Sequence, residues 1–111
     1  MIEKIVLNYL NKNLSVPAFM EEQGISVEKF VLIEKVGGSE ENFIKNANIT
    51  IQSIAPTLFE AASLNEELKE VIKGIVSLDE ISKVSLNSDY NYTDTSQKRY
   101  RYQAVFDLFY Y

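Results

Sequence analysis

The chain predicts an α+β fold: helices packed on a mainly antiparallel sheet of about four strands, in the order α-β-β-α-β-β. Three observations carry this reading. Residues 2–10 and 61–75 place apolar side chains at helical spacing, whereas three other stretches alternate apolar and polar residues with the period of a strand. A length of 111 residues with 46% hydrophobic and 24% charged side chains fits a single core, and residues 1–111 read as one domain.

Taken in order, Ile2, Ile5, Val6, Tyr9 and Leu10 share one face of a helix of about three turns, closed by Asn11, Lys12 and Asn13. Proline keeps its predecessor out of helical geometry and removes a ladder donor. Val16-Pro17-Ala18-Phe19-Met20 therefore reads as a short extended edge segment, followed by a turn at Glu21-Glu22-Gln23-Gly24. Phe30-Val31-Leu32-Ile33 is apolar on both sides and runs on to Val36, as expected of a strand covered on two faces. Gly37-Gly38-Ser39 is expected to break it, with Glu40-Glu41-Asn42 as solvated loop and a second strand from Phe43 to Ile54. In that strand Ala47, Ile49 and Ile51 face one side and Asn48, Thr50 and Gln52 the other. The pair predicts a hairpin around the double glycine, which would supply positive φ.

The principal helix opens at Pro56-Thr57-Leu58-Phe59-Glu60, where Thr57 and Glu60 have capping-box spacing. Ala61, Leu64, Leu68, Val71, Ile72 and Ile75 form its buried stripe. Glu66 with Lys69 and Glu70 with Lys73 form surface pairs, and Gly74 weakens the last turn, so the helix is expected to end between Lys73 and Ser77. Val84, Leu86, Tyr90 and Tyr92 are predicted to share one face of the next strand, alternating with Lys83, Ser85, Asn87, Asp89 and Asn91. A polar arm, residues 93–99, leads to the closing strand. There Tyr100, Tyr102, Ala104, Phe106, Leu108 and Tyr110 line one face, and Arg101, Gln103 and Asp107 the other.

Composition removes several function classes. With no cysteine and no histidine there is no disulfide framework, no thiolate nucleophile, no Cys/His zinc site and no imidazole for proton transfer. Neither a dinucleotide-binding nor a phosphate-loop glycine motif occurs. The adjacent carboxylates at Glu21-Glu22, Glu40-Glu41, Glu66-Glu67 and Asp79-Glu80 diverge on any regular element and read as solvated surface. Asp89, Asp94 and Asp107 follow no calcium-loop spacing. No enzymatic activity, cofactor or metal is expected.

A net charge of −5 disfavours binding to nucleic acid, and Lys98, Arg99 and Arg101 form the one tight basic cluster, read first as a solvated turn and strand edge. No run of eighteen apolar residues is present and the sequence opens directly on a helical pattern, so neither a membrane span nor a secretory leader is expected. Six of the seven tyrosines fall between positions 90 and 111. Those in the alternating set are expected in the core, and those near the loop and the terminus at a subunit interface.

Several motifs stand in a particular order: Tyr9-Leu10, then Leu14-Ser15-Val16-Pro17, then Phe30-Val31-Leu32-Ile33-Glu34 with Gly37-Gly38. Ala47-x-Ile49-x-Ile51-Gln52 comes next, with a helix bearing Ala61-Ala62, then Tyr92, Asp94 and Arg101-Tyr102-Gln103 before an aromatic strand. Over essentially its full length the chain resembles the small tail-terminator or tail-completion proteins of long-tailed bacteriophages, which join the tail tube to the head connector. The family's frequent glycine in the final loop is replaced here by Ser96-Gln97.

The resemblance implies a structural virion protein, assembled in the host cytoplasm, that forms a homohexameric ring. Such a ring caps the tail tube, stops its polymerisation and meets the head connector or another neck protein. The genome passes through it without sequence-specific binding, past an acidic lumen. Two polar projections are the expected contact sites: the hairpin tip with Gly37, Gly38, Glu40 and Glu41, and the arm with Tyr92, Asp94, Lys98, Arg99 and Arg101. Arg99→Glu is expected to impair assembly while leaving the subunit folded. The competing readings are a head-completion or connector subunit of the same neck and, from another class, a small regulatory ligand-binding α+β domain.

Overall fold

A computed structural model describes residues 1–24, 26–94 and 99–111 of the chain. These form two helices, α1 (Ile2–Asn13) and α2 (Leu58–Lys73), and five strands, β1 (Ala18–Phe19), β2 (Phe30–Glu41), β3 (Ile44–Ala55), β4 (Ile81–Asn91) and β5 (Tyr100–Tyr110). A 3-10 turn, Gly74–Ser77, continues α2. The strands make one sheet in the order β1-β2-β3-β5-β4, antiparallel throughout except that β1 runs parallel to β2. The fold is α+β as predicted. The sheet gains a fifth strand because the proline-led edge segment pairs with β2, Ala18 against Val31 and Phe19 against Leu32.

Both helices lie on one face of this sheet. Ile2, Val6 and Leu10 from α1 and Ala61, Leu64, Leu68 and Ile72 from α2 meet Val31, Ile33, Ala47, Ile49, Ile51, Ala104, Phe106 and Leu108 in one core. Burying each of the larger side chains contributes about 1.5–3 kcal/mol. Thr57 caps α2 by accepting from the Glu60 amide at 3.2 Å, while its own hydroxyl donates to the Glu60 carboxylate at 3.0 Å. Lys29 at 3.1 Å and the Thr57 hydroxyl together hold the Glu60 carboxyl below the usual glutamate range.

The two helices are tied by Tyr9, whose hydroxyl donates to the Val71 carbonyl at 2.8 Å. Partial burial raises its phenol pKa. Gly74 makes room for it: a Cβ there would lie 2.5 Å from the Tyr9 oxygen. Asn11 serves as a substitute strand partner for Ala18, accepting from its amide at 2.8 Å and donating to its carbonyl at 3.2 Å. Glu67 of α2 takes both the amide and the hydroxyl of Ser15.

Two sequence expectations are corrected. The double glycine does not turn the first hairpin. Strand β2 continues through it to Glu41, neither glycine has positive φ, and the turn is made by Asn42 and Phe43, with φ of 52° and 67°. Asn42 occupies a position that asparagine tolerates well; Phe43 stands where such two-residue turns favour glycine. The glycines instead come directly after a β-bulge at Val36, between the pairs Lys35–Ile49 and Gly37–Asn48. They allow close approach: a Cβ on Gly38 would lie 2.9 Å from the Asn46 carbonyl oxygen.

The second correction concerns β4, which carries bulges at Ser82 and Asn87. One extra residue reverses the facing of everything after it. Val84 and Leu86 pair with Leu108 and Phe106 on the helix side, whereas Tyr90 pairs with Gln103 on the opposite side. The four residues expected on one face are thus divided between two.

Candidate assembly surfaces

Away from the helices the sheet presents a face lined with amides and hydroxyls from Asn46, Asn48, Thr50, Gln52, Gln103, Ser85 and Tyr90. A chain of hydrogen bonds crosses the strands there. Glu22 binds Arg101 through two bonds of 3.0 and 3.1 Å, Arg101 donates to Gln52 at 2.9 Å, and Gln52 donates to Gln103 at 2.9 Å. Gln103 in turn donates to the Tyr90 hydroxyl at 2.6 Å, and the ring of Tyr90 meets that of Tyr92 edge-on at 6.0 Å. Further along, Asp107 accepts from Asn48 and from Asn87. Bonds shared between side chains of three strands fix the rotamers and give this face a defined pattern of donors and acceptors.

At one end of this face lies a small buried apolar cluster. Phe30 and Ile54 pair across β2 and β3 and are both fully covered, with Phe19 edge-on to Phe30 at 5.9 Å. Arg99 closes the cluster from above. Its guanidinium donates to the carbonyls of Gln23, Gly24 and Val27 at 3.1, 2.7 and 3.0 Å. The side chains of Arg99 and Arg101 are only 18% and 13% exposed. The two arginines of the basic cluster are therefore not solvated: both act within the subunit, because a planar fork with five donors suits a bundle of carbonyl and carboxylate acceptors.

The expected contact residues do not gather into one site. The strand register places Gly37, Gly38, Glu40 and Glu41 at the end of the sheet near Lys45, Tyr110 and Ile81. Tyr92, Asp94, Arg99 and Arg101 lie at the far end, beside Ser53 and Tyr102. Some ten residues of strand, roughly 30 Å, lie between them. Glu40 and Glu41 are exposed, Glu40 opposite Lys45, and Tyr92 and Asp94 are exposed at the end of β4. Lys98, and most of the arm between 94 and 99, fall outside the described residues.

Asp89, considered with Asp94 and Asp107 as a cation-binding set, faces α2 instead, where it accepts from Lys69 and Asn65, each at 2.9 Å. Asp107 is on the opposite face, and among the described residues no group of three or more metal-binding side chains converges. Lys69, together with the bond from Asn65, holds the Asp89 carboxyl below the ordinary aspartate range against the opposing effect of its burial. Glu66 and Asp89 raise the Lys69 ammonium in turn.

Two features, an exposed aromatic at the hairpin tip and a groove beside α2, escaped the sequence reading. Phe43 is 90% exposed at the tip of the β2–β3 hairpin, next to Ile44. Between α2 and β4 runs a groove of about 290 Å³ with Ile72, Val84, Leu86 and Phe106 along its floor and Glu66, Lys69, Glu70 and Lys73 along its rim. Both edges of the sheet are also open: among the described residues no strand pairs with the outer side of β4 or with β2 beyond Leu32. The turn had a signal in Asn42, masked by the adjacent double glycine; the groove had none, since it depends on the bulge that sets Leu86 against α2. Among the described residues no helix is long and apolar enough to cross a membrane. No family model and no curated protein matches the sequence.

Proposed function

We propose that this protein is a structural virion subunit that assembles into a ring, caps the tail tube of a long-tailed phage, ends its growth and joins it to the head connector. The resemblance of motif order over the whole chain supports this reading. The structural observation that carries it is the pair of uncovered strand edges, β4 on one side of the sheet and the distal half of β2 on the other. A ring needs two different patches per subunit that meet by rotation, and edges of unlike sequence at opposite sides of one sheet are such patches. The bulges at Val36, Ser82 and Asn87, with Lys35 and Lys83 beside them, blunt both edges against indiscriminate pairing. Contact there is selected by side chains. The amide-lined face offers a rigid polar surface for the tube end or the connector, and the genome threads the ring without being read.

Electron microscopy of particles made without this protein tests the proposal. Overlong or unattached tails are the expected result. Full-length tails together with heads that leak DNA would move the protein to the head-completion role, and unaltered particles would remove it from the neck altogether.

A further inference from the structure

Phe43 combines two features that nothing among the described residues of its own subunit explains. It holds φ at 67°, in a region where bulky side chains are uncommon, and it leaves 90% of its surface in water. Glycine would relieve the first and any polar residue the second. Backbone strain and an exposed aromatic at one position point to a contact made outside the subunit. The same chain carries a recess that such a side chain fits. The α2–β4 groove has an apolar floor, about 290 Å³ of space and a Leu86 that stays 46% exposed. About 150 Å³ is enough to hold a benzene ring.

We infer that Phe43 of one copy inserts into the groove between α2 and β4 of the next copy, and that this knob-and-groove contact is the repeating joint of the ring. The inference rests on the ring reading above and specifies its interface. In a single copy the knob is solvated, so it does not occupy its own groove. The tip extends β2 and β3 whereas the groove borders β4, at the other edge of the sheet. A protruding residue that matches a recess elsewhere on the same molecule makes a head-to-tail joint. Charge agrees at the rims: Glu41 and Lys45 flank the tip, and the exposed Glu70–Lys73 pair borders the groove, so both signs can be matched.

The chain contains no cysteine, which makes the joint directly testable. The full-length double variant Phe43→Cys/Leu86→Cys, oxidised at millimolar concentration, is expected to give a ladder of covalent oligomers ending in a closed species. Each single-cysteine variant is expected to give none. In sedimentation, Phe43→Gly, which relaxes the turn, and Leu86→Arg, which fills the groove from an exposed position, are each expected to weaken self-association at least about 30-fold, with circular dichroism unchanged. Dimers from Phe43→Cys alone would replace the joint by a tip-to-tip contact. Absence of the ladder while the unmodified chain still forms rings would overturn this joint and leave the ring reading standing. An open-ended ladder without a closed product would keep the joint and remove the ring, and a monomer that gives no ladder overturns the joint.

Discussion

The guanidinium of Arg99 stands 5.2 Å from the centre of the Phe30 ring, on the side of the sheet away from both helices. Its donors reach the backbone carbonyls of Gln23, Gly24 and Val27, so one side chain immediately before β5 fastens these residues ahead of β2. Hydrogen bonds from a charged donor contribute about 1.5–3 kcal/mol and a partly desolvated cation over a ring about 1–2 kcal/mol, offset by rehydration of the released carbonyls. Arg99→Ala is expected to cost about 2 kcal/mol in denaturant unfolding and to expose the backbone at Gln23, Gly24 and Val27 to limited proteolysis. Arg99→Lys keeps the charge without the fork and should recover less than half. Arg99→Glu consequently acts on the fold as well as on any contact, and does not isolate assembly from stability. Unchanged proteolysis of Arg99→Ala would show that the segment is held by other contacts.

The helices, the capping threonine, the central strand with Ala47, Ile49 and Ile51, and the closing aromatic strand were all legible, because each expresses its burial as a period in the sequence. Single-residue events were hidden. The bulges at Val36 and Asn87 leave no mark on composition but exchange the faces of all later residues in their strands, and so divided Leu86 from Tyr90. Asn42-Phe43 was missed as a turn because the nearby double glycine carried the stronger signal. The inward aim of Arg99 and Arg101 depends on a segment more than seventy residues away, and no local pattern encodes such a contact.

Asp89 gives the protein a defined acid sensitivity. Its carboxyl titrates below the ordinary aspartate value, chiefly because of Lys69 and then Asn65, with Glu66 sharing the same ammonium. A group with a lowered folded pKa stabilises the protein fully above its unfolded value, near 3.9, and loses that contribution as pH falls through the folded value. The Lys69–Asp89 link between α2 and β4 should therefore weaken below about pH 4. Asp89→Asn is expected to lower stability at pH 7 by roughly 1 kcal/mol and to flatten the unfolding free energy between about pH 5 and 2. Parallel curves for the two proteins across that interval would show that the carboxylate contributes nothing to pH dependence.

Gly37 and Gly38 are adjacent but should respond differently to alanine. A Cβ on Gly38 meets the backbone oxygen of Asn46 at 2.9 Å, and the ladder holds that oxygen in place. A Cβ on Gly37 meets the side-chain oxygen of Asn48 at 3.0 Å, which can rotate away at the expense of the Asn48 bond to Asp107. Neither glycine has positive φ, so alanine is not strained by its backbone and gains about 0.4–1 kcal/mol through the unfolded chain. Gly38→Ala is expected to cost about 1–3 kcal/mol and Gly37→Ala less than about 1 kcal/mol, measured by chemical denaturation. The reverse order would mean that the bulge, and not the approach to Asn46, sets the need for glycine.

Ser53 offers a change expected to stabilise. It lies on the helix-facing side of β3, fully buried, and its hydroxyl has no hydrogen-bond partner among the described residues. A buried hydroxyl without a partner loses its hydration and regains nothing, at a cost of about 1–3 kcal/mol. Ser53→Ala removes that oxygen and leaves a void smaller than a methyl group, so the desolvation term outweighs the lost packing. The variant should be more stable by about 1 kcal/mol, which in a domain of this size raises the melting temperature by about 4 °C. Asn65, whose side-chain oxygen is likewise buried and without a partner among the described residues, is the contrasting control. Its amide nitrogen serves Asp89, so Asn65→Leu should sacrifice that bond and lower stability where Ser53→Ala raises it. A loss of stability in Ser53→Ala would instead assign the hydroxyl a bound water.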